Sequence, residues 1–366
     1  MRIVFKTSHD ADIRLWKHGM QLSWYLLLLA LAAALPLLLD DFMLGEATNV
    51  LVWAIAGMGL MLLVGHAGQA SLGHAAWLAL GAYANTLLQT KAGMPFLLSL
   101  PLAAVISGLV AALVTLPIMR LHGIYLAIAT LALSVLTEDI IILAEPWTGG
   151  VSGLFAPDIE IFGVNFNRYA NPHGLYWLVL AITVLVTLGY ANLLRAPTGR
   201  AFVAVRDSEV SARAMGVHVA RTKTLAFALS AAVTAIAGAL MGHMAGVFNN
   251  ETFNIVISIY LLMMIVIGGL GAIHGAFLGA LVIGFLPQAI ALLRSALAGA
   301  LGVGSITIPG LETAVFGAIL AAFLLFEPRG IYGRWIVIRT WFELFPFYRR
   351  DMFRRQRSYL KTERMR

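Results

Sequence analysis

Cysteine is absent from all 366 residues, which excludes disulfides, thiolate nucleophiles and thiolate metal sites. Charge is scarce: charged residues make up 12% of the chain and the hydrophobic set 60%. A soluble domain carries about 25% charged and about 45–50% apolar residues, so this chain has too little polar surface to solvate a globule of its length. With a mean hydropathy of +0.86, the class that remains is a polytopic membrane protein, and a soluble enzyme is excluded. No GxxxxGK[ST] phosphate loop occurs, so ATP binding and hydrolysis by this chain alone are not expected. His66, His74, His243 and His274 are scattered without HExxH or other ligand spacing. They read as hydrogen-bonded packing residues, and no metal site is expected.

What charge there is lies in blocks. The net charge is +7, yet 21 of the 25 Lys and Arg fall in residues 1–20, 195–223 and 327–366. Basic clusters between apolar spans are what the positive-inside rule expects of cytoplasmic segments. The excess therefore reads as topology and not as nucleic-acid binding. Residues 1–21 form an amino-terminal segment, and the run WYLLLLALAAALPLLL (24–39) is long enough to stay as an anchor, with no clear small-residue cleavage site after it.

A helix crosses the hydrocarbon core with about 20 apolar residues. Ten candidates follow, at roughly 22–39, 47–65, 71–89, 95–119, 124–143, 174–194, 223–247, 255–273, 275–293 and 311–326. The chain thus divides into the segment 1–21, a transmembrane region 22–326 and a basic tail 327–366. With the amino terminus inside, Asp40, Asp41, Glu46, loop 144–173, Glu251 and Glu312 fall outside, while Arg120, His122, loop 195–223 and the tail fall inside. The fold class is all-α with about ten transmembrane helices. The stretches GHAGQASLGHAAWLALGAYA (65–84) and GGLGAIHGAFLGALVIG (268–284) are glycine-rich breaks leading into helices. Corresponding breaks suit an inverted repeat with broken helices that line a pathway; plain close helix packing reads the same glycines equally well.

The segment RAPTGRAFVAVRDSEVSARAMGVHVARTK (195–223) is too polar to span and too patterned for a linker. Asp207 or Ser208 can cap a short helix with Glu209 in its first turn. Val210, Ala214 and Met215 then share one side, and Gly216 suits the stop. An apolar and a charged side make either a docking element or an interfacial helix on lipid headgroups.

Six ordered motifs resemble a known family: GQASLGHAAWLALGAYA (68–84), YLAIATLALS (125–134), TGGVSGL (148–154), TGRAFVAVRDSEVSARAMGV (198–217), VIGGLGAIHGAFLGA (266–280) and FLLFEPRGIYG (323–333). Together they resemble the second permease subunit of the branched-chain amino acid ATP-binding-cassette importers. The resemblance implies a bacterial inner-membrane subunit with both termini cytoplasmic and no cofactor of its own. ATP and Mg would be bound by two partner ATPase subunits, a paralogous permease would complete the pore, and a periplasmic substrate-binding protein would dock on the outer face near 144–173. By the match to 198–217, Gly199, Arg200, Arg206, Asp207, Glu209, Ala212, Ala214, Met215 and Gly216 would couple ATPase closure to alternating access. Pathway positions implied by the other motifs are Gln69, Ser71, His74, Tyr83, Tyr125 and Thr130, with Thr148, Gly149 and Gly150 in TGGVSGL.

Glu138 and Asp139 lie about 20 Å along the fifth span, counted from Tyr125 at about 1.5 Å per residue. An acid at that depth is either functional or marks an early helix end at the outer mouth. The family stretch often carries an acidic and then a basic residue three apart, and here those places read Val135 and Glu138. That departure weakens a branched-chain assignment and leaves urea, short amides and aromatic carboxylates as alternative substrates. A secondary transporter driven by an ion gradient is the rival mechanism, but it gives 195–223 no role. The tail stretch 341–366, aromatics interleaved with Arg, reads first as an anchor on anionic membrane lipid, then as added ATPase contact, and last as nucleic-acid binding.

Overall fold

The computed structural model describes residues 19–118, 121, 123–301, 310–327 and 329–344. Expectations for residues 1–18, for Arg120 and His122, and for the tail from 345 onward lie outside these residues, as does the side chain of Glu312. The helices are α1 (Gly19–Leu38), α2 (Asp41–Met61), α3 (His74–Thr90), α4 (Phe96–Ile118), α5 (Ile124–Leu143), the short α6 (Glu145–Thr148) and α7 (Pro172–Arg195). There follow α8 (Pro197–Asp207), α9 (Glu209–Ala214), α10 (Val219–Ala245), α11 (Ile255–Gly268), α12 (Ile273–Leu301), α13 (Leu311–Phe326) and α14 (Gly330–Leu344).

Each expected apolar segment is helical, but the count of ten spans is not carried. Among the described residues, seven helical stretches are long and apolar enough to cross a membrane: Asp41–His66, Phe96–Pro117, Ile124–Leu143, Pro172–Arg195, Val219–Ala245, Asn250–Gly268 and Ile273–Leu292. α3 has 17 residues and α13 has 16, about 25 Å at 1.5 Å per residue, short of a hydrocarbon core of about 30 Å. The apolar stretch of α1, Leu22–Leu38, is also short. The first glycine break takes up part of the difference, since the expected span 71–89 becomes helical only at His74; the second, at 269–272, separates two helices that are both long enough to cross. The all-α class holds, with two short ribbons added at the helix ends. Strands β1 (Leu154–Phe155) and β4 (Val247–Phe248) pair antiparallel, and β2 (Ile159–Ile161) pairs with β3 (Val164–Phe166). Both ribbons lie beyond the helix ends, where no lipid forces the backbone into a helix.

The packing centre is α2 and α10. α2 is buried along most of its length, from Leu44 to Met61. α10 packs against α2, α3 and α4, while α2 also meets α7 and α12. Residues without side chains set the closest approach. A Cβ on Gly81 would strike the Ala235 backbone, and one on Gly238 would strike the Leu78 backbone. Small residues in register let two helices gain dispersion contacts where no hydrophobic effect operates between them. The outer faces of α1, α4, α5 and α7 instead expose Leu28, Leu113, Leu136 and Leu185.

The ends of the bundle differ in charge. One gathers α8, α9, the glycine breaks and the start of α14, with Arg200, Arg206, Arg213 and Arg329. The other gathers Asp41, Glu46, Asp158 and Glu251 around the ribbons and the capping turn Asn249–Thr252. Gly238→Val is expected to force α3 and α10 apart at a cost of about 1–3 kcal/mol or more. Thermal unfolding in detergent should show a lowered Tm and yield. Gly189→Ala, where a Cβ meets nothing within 4 Å, should leave the Tm unchanged or raise it slightly.

Candidate functional site: a basic helical segment seated on two helix breaks

Pro197 starts α8 in a position where its missing N–H costs nothing. Gly199 sits so close to the end of α7 that a Cβ would overlap the Leu193 and Leu194 backbone. Ser208 stops α8 in extended conformation and caps α9, its side-chain oxygen accepting from the Ser211 N–H at 3.2 Å. Gly216, at φ +84, turns the chain after α9. Val205, Ala212 and Val219 bury together and weld α8, α9 and α10 into one unit. The opposite side of α9 is open: Val210 is 82% and Met215 84% exposed, with Ala214 exposed between them.

Two charged groups face inward. Lys223 is 3% exposed and its Nζ lies 2.6 Å from Oε1 of Glu209. Glu209 therefore ties α9 to the start of the second turn of α10. Arg206 donates from Nη1 to the Gly65 carbonyl oxygen at 2.9 Å and from Nε to Asp207 Oδ1 at 3.0 Å. Arg200 donates to the Arg195 carbonyl at 2.9 Å and is otherwise exposed.

Beneath Arg206 the two breaks meet. α2 runs into a π-helical turn, Leu62–His66, where Ala67 N–H reaches the Leu62 carbonyl at 3.1 Å. Such wide turns often mark functional sites. A Cβ on Gly65 would crowd the Gly271 backbone, one on Gly68 would strike Arg206, and one on Gly269 would press on Arg329 and Tyr332. The Gly271 N–H donates to Met61 Sδ at 3.1 Å. One guanidinium thus satisfies a carbonyl that the first break leaves open, directly above the second break.

The pathway positions do not form one cluster. Gln69, Ser71, His74 and Thr130 lie together under the first break and are buried. His74 bonds Ser71 Oγ at 3.0 Å and Ser230 Oγ at 2.8 Å, and Ser230 donates to the Gly59 carbonyl at 2.6 Å. Thr130 accepts from the Leu72 N–H at 3.0 Å. Tyr83 is buried further along α3 against Phe248, and its hydroxyl has no partner among the described residues. Tyr125 is 67% exposed on the outside of α5. At the acidic end, half-buried Glu138 meets the Ile255 backbone N–H, whereas Asp139 is exposed. Thr148 donates to the Ile141 carbonyl at 2.6 Å and accepts from Gly150, closing the turn after α5 together with Gly149 in left-handed conformation. The other histidines are held in packed positions. His66 meets Tyr190 Oη at 3.1 Å, His243 meets Asn85 and Gln89, and His274 stacks between Tyr25 and Tyr332.

Residues 42–325 match the family described as branched-chain amino acid transport system / permease component. The chain belongs to this permease family. It is 32% identical over 277 residues to the high-affinity branched-chain amino acid transport system permease protein LivM of Salmonella typhimurium, covering 70% of this chain and 65% of that protein. The match thus spans just under two thirds of that relative's length. The probable branched-chain amino acid transport permease protein LivM of Methanocaldococcus jannaschii is 29% identical, over 78% of this chain and 84% of its own. The autoinducer 2 import system permease protein LsrC of Klebsiella pneumoniae is 33% identical over 46% of this chain and 48% of its own. No solved structure matches. Membership accounts for the apolar helices: the chain is a multi-pass membrane protein, and its relatives are transport permeases.

Two permease residues were hidden from the sequence. Lys223 reads there as one more cation in a basic block, and Gly65 as one more glycine. Glu209→Gln is expected to strand the buried Lys223 ammonium, costing up to about 3–5 kcal/mol. Lys223→Met combined with Glu209→Gln should recover most of that loss in thermal unfolding. A wild-type Tm in Glu209→Gln would show that the pair contributes nothing, and no recovery in the double variant would show that the stranded ammonium is not the cause of the loss.

Proposed function

We propose that this chain is the membrane permease subunit of an ATP-binding-cassette importer in the bacterial inner membrane. Its basic end, with α8 and α9, faces the cytoplasm, and so do both termini. The observation that carries the reading is the seating of α8–α9: one side is held on both helix breaks through Arg206, and the other is an uncovered apolar surface on α9. A segment of that shape receives a push from outside and delivers it to the two places where the backbone is already broken. Two ATPase subunits, binding ATP and Mg, supply the push on Val210 and Met215. A paralogous permease completes the pore, and a periplasmic binding protein delivers solute at the ribbons near 144–173. The basic tail anchors on membrane lipid. The solute is a branched-chain or related amino acid, in keeping with the names of the relatives; uptake assays separate it from urea, short amides and aromatic carboxylates.

Two sets of variants test this. Met215→Asp with Val210→Asp should reduce ATPase co-purification at least tenfold while leaving the Tm of the permease unchanged. Arg206→Gln should keep the ATPase bound and lose the stimulation of hydrolysis by solute-loaded binding protein. Undiminished ATPase retention in the first pair, or normal stimulation in the second, would sink the coupling role.

A further inference from the structure

A cavity of about 230 Å³ opens between α2, α11 and α12, lined by Glu46, Asn49, Trp53, Tyr260, Ile283, Gly284, Pro287 and Gln288. It lies toward the acidic end, away from Arg206: Glu46 is about 8 Å and Trp53 about 18 Å along α2 from Asp41 at 1.5 Å per residue. Its size falls below the roughly 300–1,000 Å³ of pockets for drug-sized ligands, so it has room for a small solute only.

The lining is chemically one-sided. No lining residue is cationic, and several offer acceptors. The Glu46 side chain is 15% exposed, and among the described residues its one ion pair is a 3.5 Å contact from Oε1 to Arg168, which stands outside the lining. Oε2 has no partner among the described residues, and neither do the side-chain amides of Asn49 and Gln288. Pro287 has no N–H to give the Ile283 carbonyl four residues before it, so a further acceptor is released inside the helix. Trp53 and Tyr260 add aromatic rings, whose faces attract cations. A carboxylate between apolar helices is costly unless it is well paired, and one long contact to a partly exposed Arg leaves it under-paired.

We propose that this cavity binds the primary ammonium group of a small, partly aliphatic solute, with Glu46 as the principal acceptor and Trp53, Ile283 and Pro287 around the apolar part. The proposal deepens the permease reading by giving its solute a site and a charge requirement, and it rests on that reading for its place in transport. Arg168 is a positioning residue that holds Glu46 from outside the lining.

The full-length chain in lipid nanodiscs tests it through tryptophan fluorescence, with Trp53→Phe identifying the reporter. L-leucine and isopentylamine should each give a saturable change, whereas 4-methylpentanoate, which has the aliphatic part without the ammonium, should give none. Glu46→Gln should raise Kd for isopentylamine at least tenfold, and Arg168→Gln should leave it unchanged or lower it. Asn49→Ala, which keeps the Glu46–Arg168 pair, should raise Kd about threefold or more and decides the matter if Glu46→Gln does not fold. An equal response to 4-methylpentanoate, or an unchanged Kd in Glu46→Gln or, failing that, in Asn49→Ala, overturns the site. ATPase retention on the same preparations keeps the two readings apart. Retention without ammonium-dependent binding rejects the cavity alone, and ammonium-dependent binding without retention upholds the cavity and rejects the importer alone.

Discussion

Backbone that leaves a helix inside a membrane must find partners within the protein, because the hydrocarbon offers none. In this chain the demand is concentrated at one point, where the break after α2 meets the break between α11 and α12. Gly65 and Gly271 bring the two backbones together, and the Arg206 guanidinium closes the junction by bonding the Gly65 carbonyl. A side chain at Gly65 would strike the Gly271 backbone, and Gly271 itself sits at φ +83, where an L side chain is strained. Without the guanidinium, an acceptor would be left open. The position of α8 and α9, the course of α2 and the approach of α12 all follow from this junction.

The second constraint is the buried Lys223. An ammonium with 3% exposure cannot stand without a counter-charge, and Glu209 supplies it from α9. α9 is therefore held at two points of different chemistry, an ion pair to α10 and, through α8, a guanidinium to α2. What remains free is its apolar outer side. Anchored charge within and uncovered methyl and thioether groups without are what the proposed coupling role calls for. Polar groups deeper in the bundle follow the same economy. His74 is held between two serines, and Ser230 passes the chain of hydrogen bonds on to Gly59 of α2.

Much of this was legible in the chain. The helical segments stand where apolar runs placed them, and Ser208, Glu209 and Gly216 begin and end α9 as their chemistry requires. The number of spans was less legible, since an apolar window does not show that the helix within 71–89 begins only at His74, and since the runs within 22–39 and 311–326 are apolar enough but too short. Site residues were legible in kind more than in place. Thr148, Gly149 and Gly150 close a turn, Tyr125 faces outward, and Gln69, Ser71, His74 and Thr130 pack together. Glu46 looked like one of several acids at a helix end, although its side chain lies against a cavity whose other walls come from residues more than 200 positions later.

Composition and local pattern by themselves determined that the chain is a membrane protein, where its helices run, which segments carry the basic charge and where the short cap-to-glycine helix lies. These depend on hydropathy and on neighbours within a few residues. Tertiary structure alone decided that Arg206 reaches Gly65, that Lys223 is buried against Glu209, and that Glu46, Asn49 and Gln288 share a cavity. Each of those facts depends on the distance and angle between helices, which close glycine contacts set to within a side chain's width and which no local property of the sequence encodes.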